Sequence, residues 1–274
     1  MHLKEYFFIT GAAGGLGKAF AVECAHRGWN LLLTDLSEEA LANLAAGLEA
    51  VYGIEALYSS CDLTDAASRA AMYEMIEENG YRFKGLINVA GLDFEGYFTE
   101  RTREQIRIML RLNIEATLDV THEIIKYRVK GCPFRVITVS SLAAFYPMPV
   151  KAMYAASKRF LLDFSLALRE EIRSLGGTVT VLCPAGMPTN RECREAIDAQ
   201  GFLGRITAKN VGFVAARTVD NALKGKAVYI PGILNRILRL LGGMAPPAFV
   251  AWAIGKRWGS VRQRNGIAAV REAA

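Results

Sequence analysis

The chain has 274 residues, 52% of them hydrophobic, enough for one α/β domain with a sizeable core. Its net charge of +6 is uneven: from Lys224 onward there are nine Lys/Arg and one acid, Glu272, interleaved with Leu, Ile, Ala and Pro, a pattern that argues against nucleic-acid binding. The five cysteines form no C-x-x-C pair and the three histidines show no metal-ligand spacing, so no metal is expected, and the thiols fit a reducing, cytoplasmic compartment.

The first predicted strand, YFFIT (6–10), starts almost at once, so no signal peptide is expected. It runs into ITGAAGGLGKAF, which sets Gly11, Gly14, Gly15 and Gly17 before a helix over Leu16–Arg27. Glycines there let the backbone turn tightly and approach a pyrophosphate, and the helix N-terminus offers unpaired N–H groups to the anion. The second strand, NLLLT (30–34), is followed by Asp35, placed to accept hydrogen bonds from an adenosine ribose and to repel a 2′-phosphate. No Arg or Lys adjoins Asp35 or lies within the glycine turn, so NAD is expected over NADP. Ser37 is the expected cap of a helix over Glu38–Tyr52.

The alternation continues with IEALYSS (54–60), Asp62 as an adenine contact or a turn residue, Thr64 as a cap and a helix over Ala66–Asn79. GLINVA (85–90) precedes a helix over Arg103–Lys130, and FRVITV (134–139) precedes one over Ala152–Leu175. TVTVLC (178–183) and AVYI (227–230) complete seven strands. Short Val/Ile/Leu runs alternating with helices predict an α/β fold, a Rossmann-type doubly wound parallel sheet. Residues 1–232 are expected to form this single domain and 233–274 a C-terminal helical extension.

Tyr154 and Lys158 stand four residues apart, one helical turn, so both lie on one face. The order Thr10-Gly11-x-x-x-Gly15-x-Gly17, then NVAG (88–91), Asn113, Ser141 and Tyr154-x-x-x-Lys158 resembles the short-chain dehydrogenase/reductase family over about residues 5–232. The resemblance implies hydride transfer between a nicotinamide cofactor and an alcohol or ketone. Tyr154 would be the general acid/base, with a neighbouring cation lowering a phenol pKa that is ordinarily about 10. Lys158 would be that cation and would also hold the nicotinamide ribose. Ser141, rather than its neighbour Ser140, would hydrogen-bond the substrate oxygen, and Asn113 would hold a water of a proton relay.

The resemblance also implies cofactor contacts from Thr10, Gly11, Ala13, Gly14, Gly15, Leu16 and Gly17, from Asp35, Leu36, Asp62 and Leu63, and from Asn88, Ala90 and Gly91. Pro184, Gly186 and Thr189 would follow the sixth strand. Val89 departs from the family's second Asn, and Ala185 and Pro188 depart from its P-G-x-V/I-x-T pattern.

The expected substrate walls supply Phe94, Phe145, Tyr146, Met148, Met153 and Met187, a mostly apolar set without an arginine cluster, which favours a hydrophobic alcohol or ketone, steroid-like or acyl. An NAD-binding sensor without turnover is the competing reading, against which the intact set Asn113, Ser141, Tyr154 and Lys158 argues. The uncharged run Leu240–Gly255, broken by Gly-Gly and Pro-Pro, is too short to span a bilayer. It either covers the cleft or a subunit interface, or rests on an anionic membrane surface, which would mark a membrane-associated 3-oxoacyl-type reductase. The stripe Phe160, Leu161, Phe164 and Leu168 is a candidate contact with a second copy in a homodimer or homotetramer.

Overall fold

The computed structural model describes residues 5–188 and 209–256. Seven strands, β1 (Glu5–Thr10), β2 (Asn30–Asp35), β3 (Ala56–Ser60), β4 (Arg82–Asn88), β5 (Phe134–Val139), β6 (Gly177–Leu182) and β7 (Val228–Tyr229), pair in the order β3-β2-β1-β4-β5-β6-β7. Every ladder is parallel. The apolar runs make this possible because both sheet faces are covered. In β1, Phe7 and Ile9 join one buried cluster while Tyr6 and Phe8 join the other.

The described helices are α1 (Gly15–His26), α2 (Glu38–Tyr52), α3 (Ala66–Glu78), α4 (Arg103–Leu110), α5 (Thr117–Lys126), α6 (Ala152–Glu171), α7 (Val211–Leu223), α8 (Ile233–Met244) and α9 (247–256). Helices α1, α2 and α7 pack on one face of the sheet, and α3 and α5 on the other. An Arg27–Asp220 ion pair at 2.8 Å fastens α1 to α7. The chain leaves β1 toward β2 and β3, then returns to β4 on β1's other side. That reversal opens a crevice beyond the carboxyl ends of β1 and β4, where doubly wound sheets bind ligands.

Several boundaries differ from the sequence expectation, and four of the differences have a local cause. The fourth strand ends at Asn88 because the N–H groups of Val89 and Ala90 donate to Thr10 Oγ1 instead of to the sheet. The cap of α3 is Asp65, whose carboxylate accepts from Ala67 and Ser68 N–H, while Thr64 is held by Asp62. The long helix expected over Arg103–Lys130 is divided by a π-helical segment, Arg111–Ala116, and ends at Lys126. The helix from Ala152 ends in a tighter 3₁₀ turn, Ile172–Leu175, stopped by Gly176 at φ +72°.

The α6 stripe divides as well. Leu161 is buried and Leu168 packs on the core, whereas Phe160 stays exposed and stacks on Phe164 with ring centroids 6.2 Å apart.

Candidate active site

Two glycines of the turn leave no space for a side chain. Gly11 sits at φ +64°, and a Cβ there would stand 2.8 Å from Ala90 N. A Cβ on Gly17 would lie 2.0 Å from Gly11 O. Gly14 N–H donates to Gly11 O at 3.2 Å and Lys18 N–H to Gly14 O at 2.8 Å, closing the turn and starting α1. No side chain caps that start, so the positive end of α1 opens into the crevice. Thr10, buried, ties the β1 end to the β4 end through its two accepted bonds of 3.1 and 3.2 Å. This cradle, which a single Cβ would fill, fits a dinucleotide pyrophosphate.

Asp35 stands at the end of β2 beside the turn. Its Oδ2 accepts from Ala13 N–H at 2.9 Å and its Oδ1 from Leu36 N–H at 2.8 Å, which fixes the carboxylate. Leu36 is largely exposed. Folding adds a cation that linear adjacency missed: Lys18 and Ser37 line one shallow hollow just beyond β2. Asp62 forms a local turn, its Oδ1 accepting from Thr64 N–H at 2.8 Å and Thr64 Oγ1 at 2.7 Å, in keeping with the turn alternative. Leu63, expected at the cofactor, has its side chain in the core because it follows the buried Cys61 under α3. Asn88 Nδ2 donates to Thr121 Oγ1 at 2.8 Å, and its buried Oδ1 has no hydrogen-bond partner.

The other expected residues converge at the ends of β4 and β5. Asn113 is fully buried in the π-helical segment. Its Oδ1 accepts from Leu92 N–H at 2.9 Å, and its Nδ2 donates to Leu92 O at 2.9 Å and to Ser157 Oγ at 3.2 Å. The wider π turn is a known device at functional sites for aiming one residue out of helical register. Gly91 is the meeting point: a Cβ there would lie 3.0 Å from Lys158 Nζ and 3.1 Å from Asn113 Oδ1.

Lys158 is buried, its Nζ donating to Val139 O at 3.0 Å and standing 5.7 Å from the centre of the Tyr154 ring. Burial pushes its pKa from the ordinary 10.5 down to about 8, against the upward pull of the Asp93 carboxylate. The two serines separate cleanly. Ser140 is buried and spends its hydroxyl on Lys158 O at 2.7 Å, whereas Ser141 is half-exposed and caps a short 3₁₀ turn through Ala143 N–H at 3.1 Å.

Sequence reasoning passed over Lys151. Its Nζ pairs with Asp93 at 2.7 Å and Glu95 at 2.8 Å and lies 5.8 Å from the Tyr154 ring centre, on the ring that Lys158 also faces. These partners raise the Lys151 pKa against the opposing effect of burial. Val150 just before it adopts φ +71°, a left-handed conformation rare for a β-branched residue, while its carbonyl accepts from Gly96 N–H at 2.9 Å. The signal in the sequence was the acid pair Asp93 and Glu95 in one apolar loop and a lone cation in the other.

Of the expected substrate walls, Phe94 lines a crevice with Val150, Met153 and Tyr154. Phe145 packs on a small core cluster beneath the Arg239 guanidinium, which lies 4.8 Å from its ring centre. Met148 is half-buried in the loop before Tyr154. Met187 is partly buried and packs against the core cluster of the α1 and α7 face. Pro184 is buried and its carbonyl accepts from Leu142 N–H at 2.8 Å, and Gly186 is exposed. Thr189 lies outside the described residues. Among the described residues no group of His, Cys, Asp and Glu is arranged to hold a metal ion.

A seven-stranded parallel sheet with a glycine-lined crevice at its reversal point defines a Rossmann-type dinucleotide-binding fold. The family description "short chain dehydrogenase" matches residues 5–198, and the chain belongs to that family. The very-long-chain 3-oxoacyl-CoA reductase of Laccaria bicolor is 32% identical over 174 residues, 62% of this chain and 51% of that protein. The human 17-beta-hydroxysteroid dehydrogenase type 3 is 30% identical over 192 residues, 68% of this chain and 60% of that one. The matched part thus spans about half to three-fifths of these relatives' length. A short-chain dehydrogenase from Sphingobium yanoikuyae, solved in complex with NADPH, superposes with a TM-score of 0.75 at 27% identity, over 88% of this chain and 93% of that one. One from Burkholderia phymatum, solved with NAD, shares the fold with a TM-score of 0.75 at 22% identity, over 87% and 92%.

Proposed function

We propose that this chain is an NAD(P)-dependent oxidoreductase acting on a hydrophobic secondary alcohol or its ketone. The carrying observation is that Lys158 Nζ and Asn113 Oδ1 meet at Gly91, next to the glycine cradle, with Lys158 Nζ 5.7 Å from the centre of the Tyr154 ring. When bound, the nicotinamide supplies or accepts the hydride. The glycine turn and the start of α1 would hold the pyrophosphate, and Asp35 would accept from the ribose hydroxyls. Tyr154 gives its phenolic proton to the carbonyl oxygen in reduction and takes it back in oxidation. Lys158 favours the phenolate by its charge, and Ser141 Oγ donates to the substrate oxygen. Asn113, anchored to both backbone groups of Leu92, would hold the water that links Lys158 to solvent.

The named relatives act on long acyl chains and steroids, which supports a large apolar substrate. We read NAD as the preferred cofactor because the Asp35 carboxylate at the end of β2 would repel a 2′-phosphate. Lys18 is the opposing feature, and a larger thermal shift with NADPH than with NADH would overturn the preference. The stack of exposed Phe160 on half-buried Phe164 supports pairing of two copies through α6. Tyr154→Phe tests the reading of catalysis. It should abolish turnover in a screen of secondary alcohols and hydroxysteroids while NADH binding persists, and full activity in the variant would refute it.

A further inference from the structure

Helix α8 is amphipathic, yet it is mounted the other way round from an ordinary surface helix. Ile233, Ile237, Leu240, Leu241 and Met244 recur at positions i, i+4, i+7, i+8 and i+11, which places them in one stripe along the helix. All five are exposed, Ile233 at 74% and Met244 at 80%. The side packed on the protein is instead the small and polar one. Asn235 is buried and donates to Pro231 O at 2.6 Å, Gly242 is pressed so close to the Tyr146 ring that a Cβ would lie 2.1 Å from it, and Arg239 covers Phe145. Following α8, α9 adds exposed Phe249 and Trp252, rings 5.8 Å apart, with Lys256 Nζ 5.5 Å from the Trp252 ring centre.

We propose that α8 and α9 form a docking surface for an anionic lipid bilayer, with the apolar stripe and Trp252 seated at the interface and Arg236 and Lys256 at the headgroups. Charge selects this occupant. From Asn221 to Arg271 the sequence contains no Asp or Glu and nine Lys/Arg. A second copy set on the same face would bring Arg236 and Lys256 against their own counterparts with no acid on either helix to answer them, whereas acidic lipid headgroups complement them. Exposed Trp beside Lys is the composition of a membrane–water interface. At about 1.5 Å per residue α8 is too short to span a bilayer, and no described helix is long and apolar enough to cross one, so the geometry is that of a helix lying in the plane. The inward side of α8 touches Tyr146 and Phe145, in the loop that leads to Tyr154, which sets this surface beside the cleft.

The test is flotation of the full chain with vesicles of phosphatidylcholine alone and of phosphatidylcholine mixed with phosphatidylglycerol. Binding to the mixed vesicles, weakened by salt and accompanied by a blue shift of Trp fluorescence, is expected. The double variant Ile237→Glu/Leu241→Glu, at two exposed positions, should keep the wild-type melting temperature and lose at least tenfold in partitioning. Equal partitioning of wild type and double variant, or no flotation at low salt, would overturn the proposal. So would a dimer in size-exclusion chromatography that the double variant converts to a monomer, because the stripe would then belong to a second copy. None of these readouts requires turnover, so the outcome stands apart from that of Tyr154→Phe.

Discussion

Replacing Lys158 with Met tests the central electrostatic feature of the site. The buried ammonium has its pKa lowered from 10.5 to about 8 by desolvation. Below about pH 8 the amine is charged both folded and unfolded, and the fold carries the whole cost of burying it, about 3 kcal/mol at 1.36 kcal/mol per pKa unit. Above 10.5 it is neutral in both states and the cost vanishes, so this group makes stability rise with pH between those limits. From pH 7 to 9.5 the wild type should gain about 2 kcal/mol relative to Lys158→Met, which has no group to titrate there. Met has similar length and no charge, and the lost bond to Val139 O contributes an offset that does not depend on pH. The assay is urea unfolding of both proteins without cofactor at the two pH values, comparing the difference between them so that thiols common to both cancel. A difference flat with pH would refute the reasoning, since it would mean that the ammonium is hydrated and unperturbed. The variant should also lose turnover at every pH.

Other expected outcomes follow from single contacts. Gly17→Ala forces a methyl to within 2.0 Å of Gly11 O, so NADH binding measured by fluorescence titration should fall at least tenfold, with a stability loss of about 1–3 kcal/mol. Ser140→Ala and Ser141→Ala should behave differently. The first removes a buried bond to Lys158 O and should lower stability by about 1–2 kcal/mol, while the second should lower kcat by about 10²-fold at a stability cost of no more than about 1 kcal/mol. Arg69, buried and bonded to Glu115, Asp119 and Leu63 O, fastens α3 to the π-helical segment and α5. Its two carboxylate partners are partly hydrated, so Arg69→Ala should cost about 2 kcal/mol in urea unfolding rather than the full penalty of a stranded buried charge.

Much of the site was legible because its motifs are local. The glycine turn needs only a strand, a helix and the absence of Cβ atoms, and Tyr154 with Lys158 needs only one helical turn. The choice between Ser140 and Ser141 came from the family resemblance, and only packing explains it: Ser140 points back to the α6 carbonyl of Lys158. The π-helical segment at Asn113 was not legible, since the extra residue is accommodated by contacts to Leu92 and Ser157 far along the chain. Lys151 was missed because its partners Asp93 and Glu95 lie in another loop.

The sequence by itself determined the order of strands and helices, the phosphate cradle and the spacing of the proton-transfer pair, since each is written in residues close along the chain or in strict hydrophobic period. Tertiary structure alone decided that Lys158 sits in a dry pocket with a lowered pKa and that a second lysine stands at Tyr154. It also decided that α8 turns its apolar stripe outward. Periodicity reveals that a helix has two unlike faces; which face meets the protein depends on neighbours distant in sequence, here Tyr146 against Gly242.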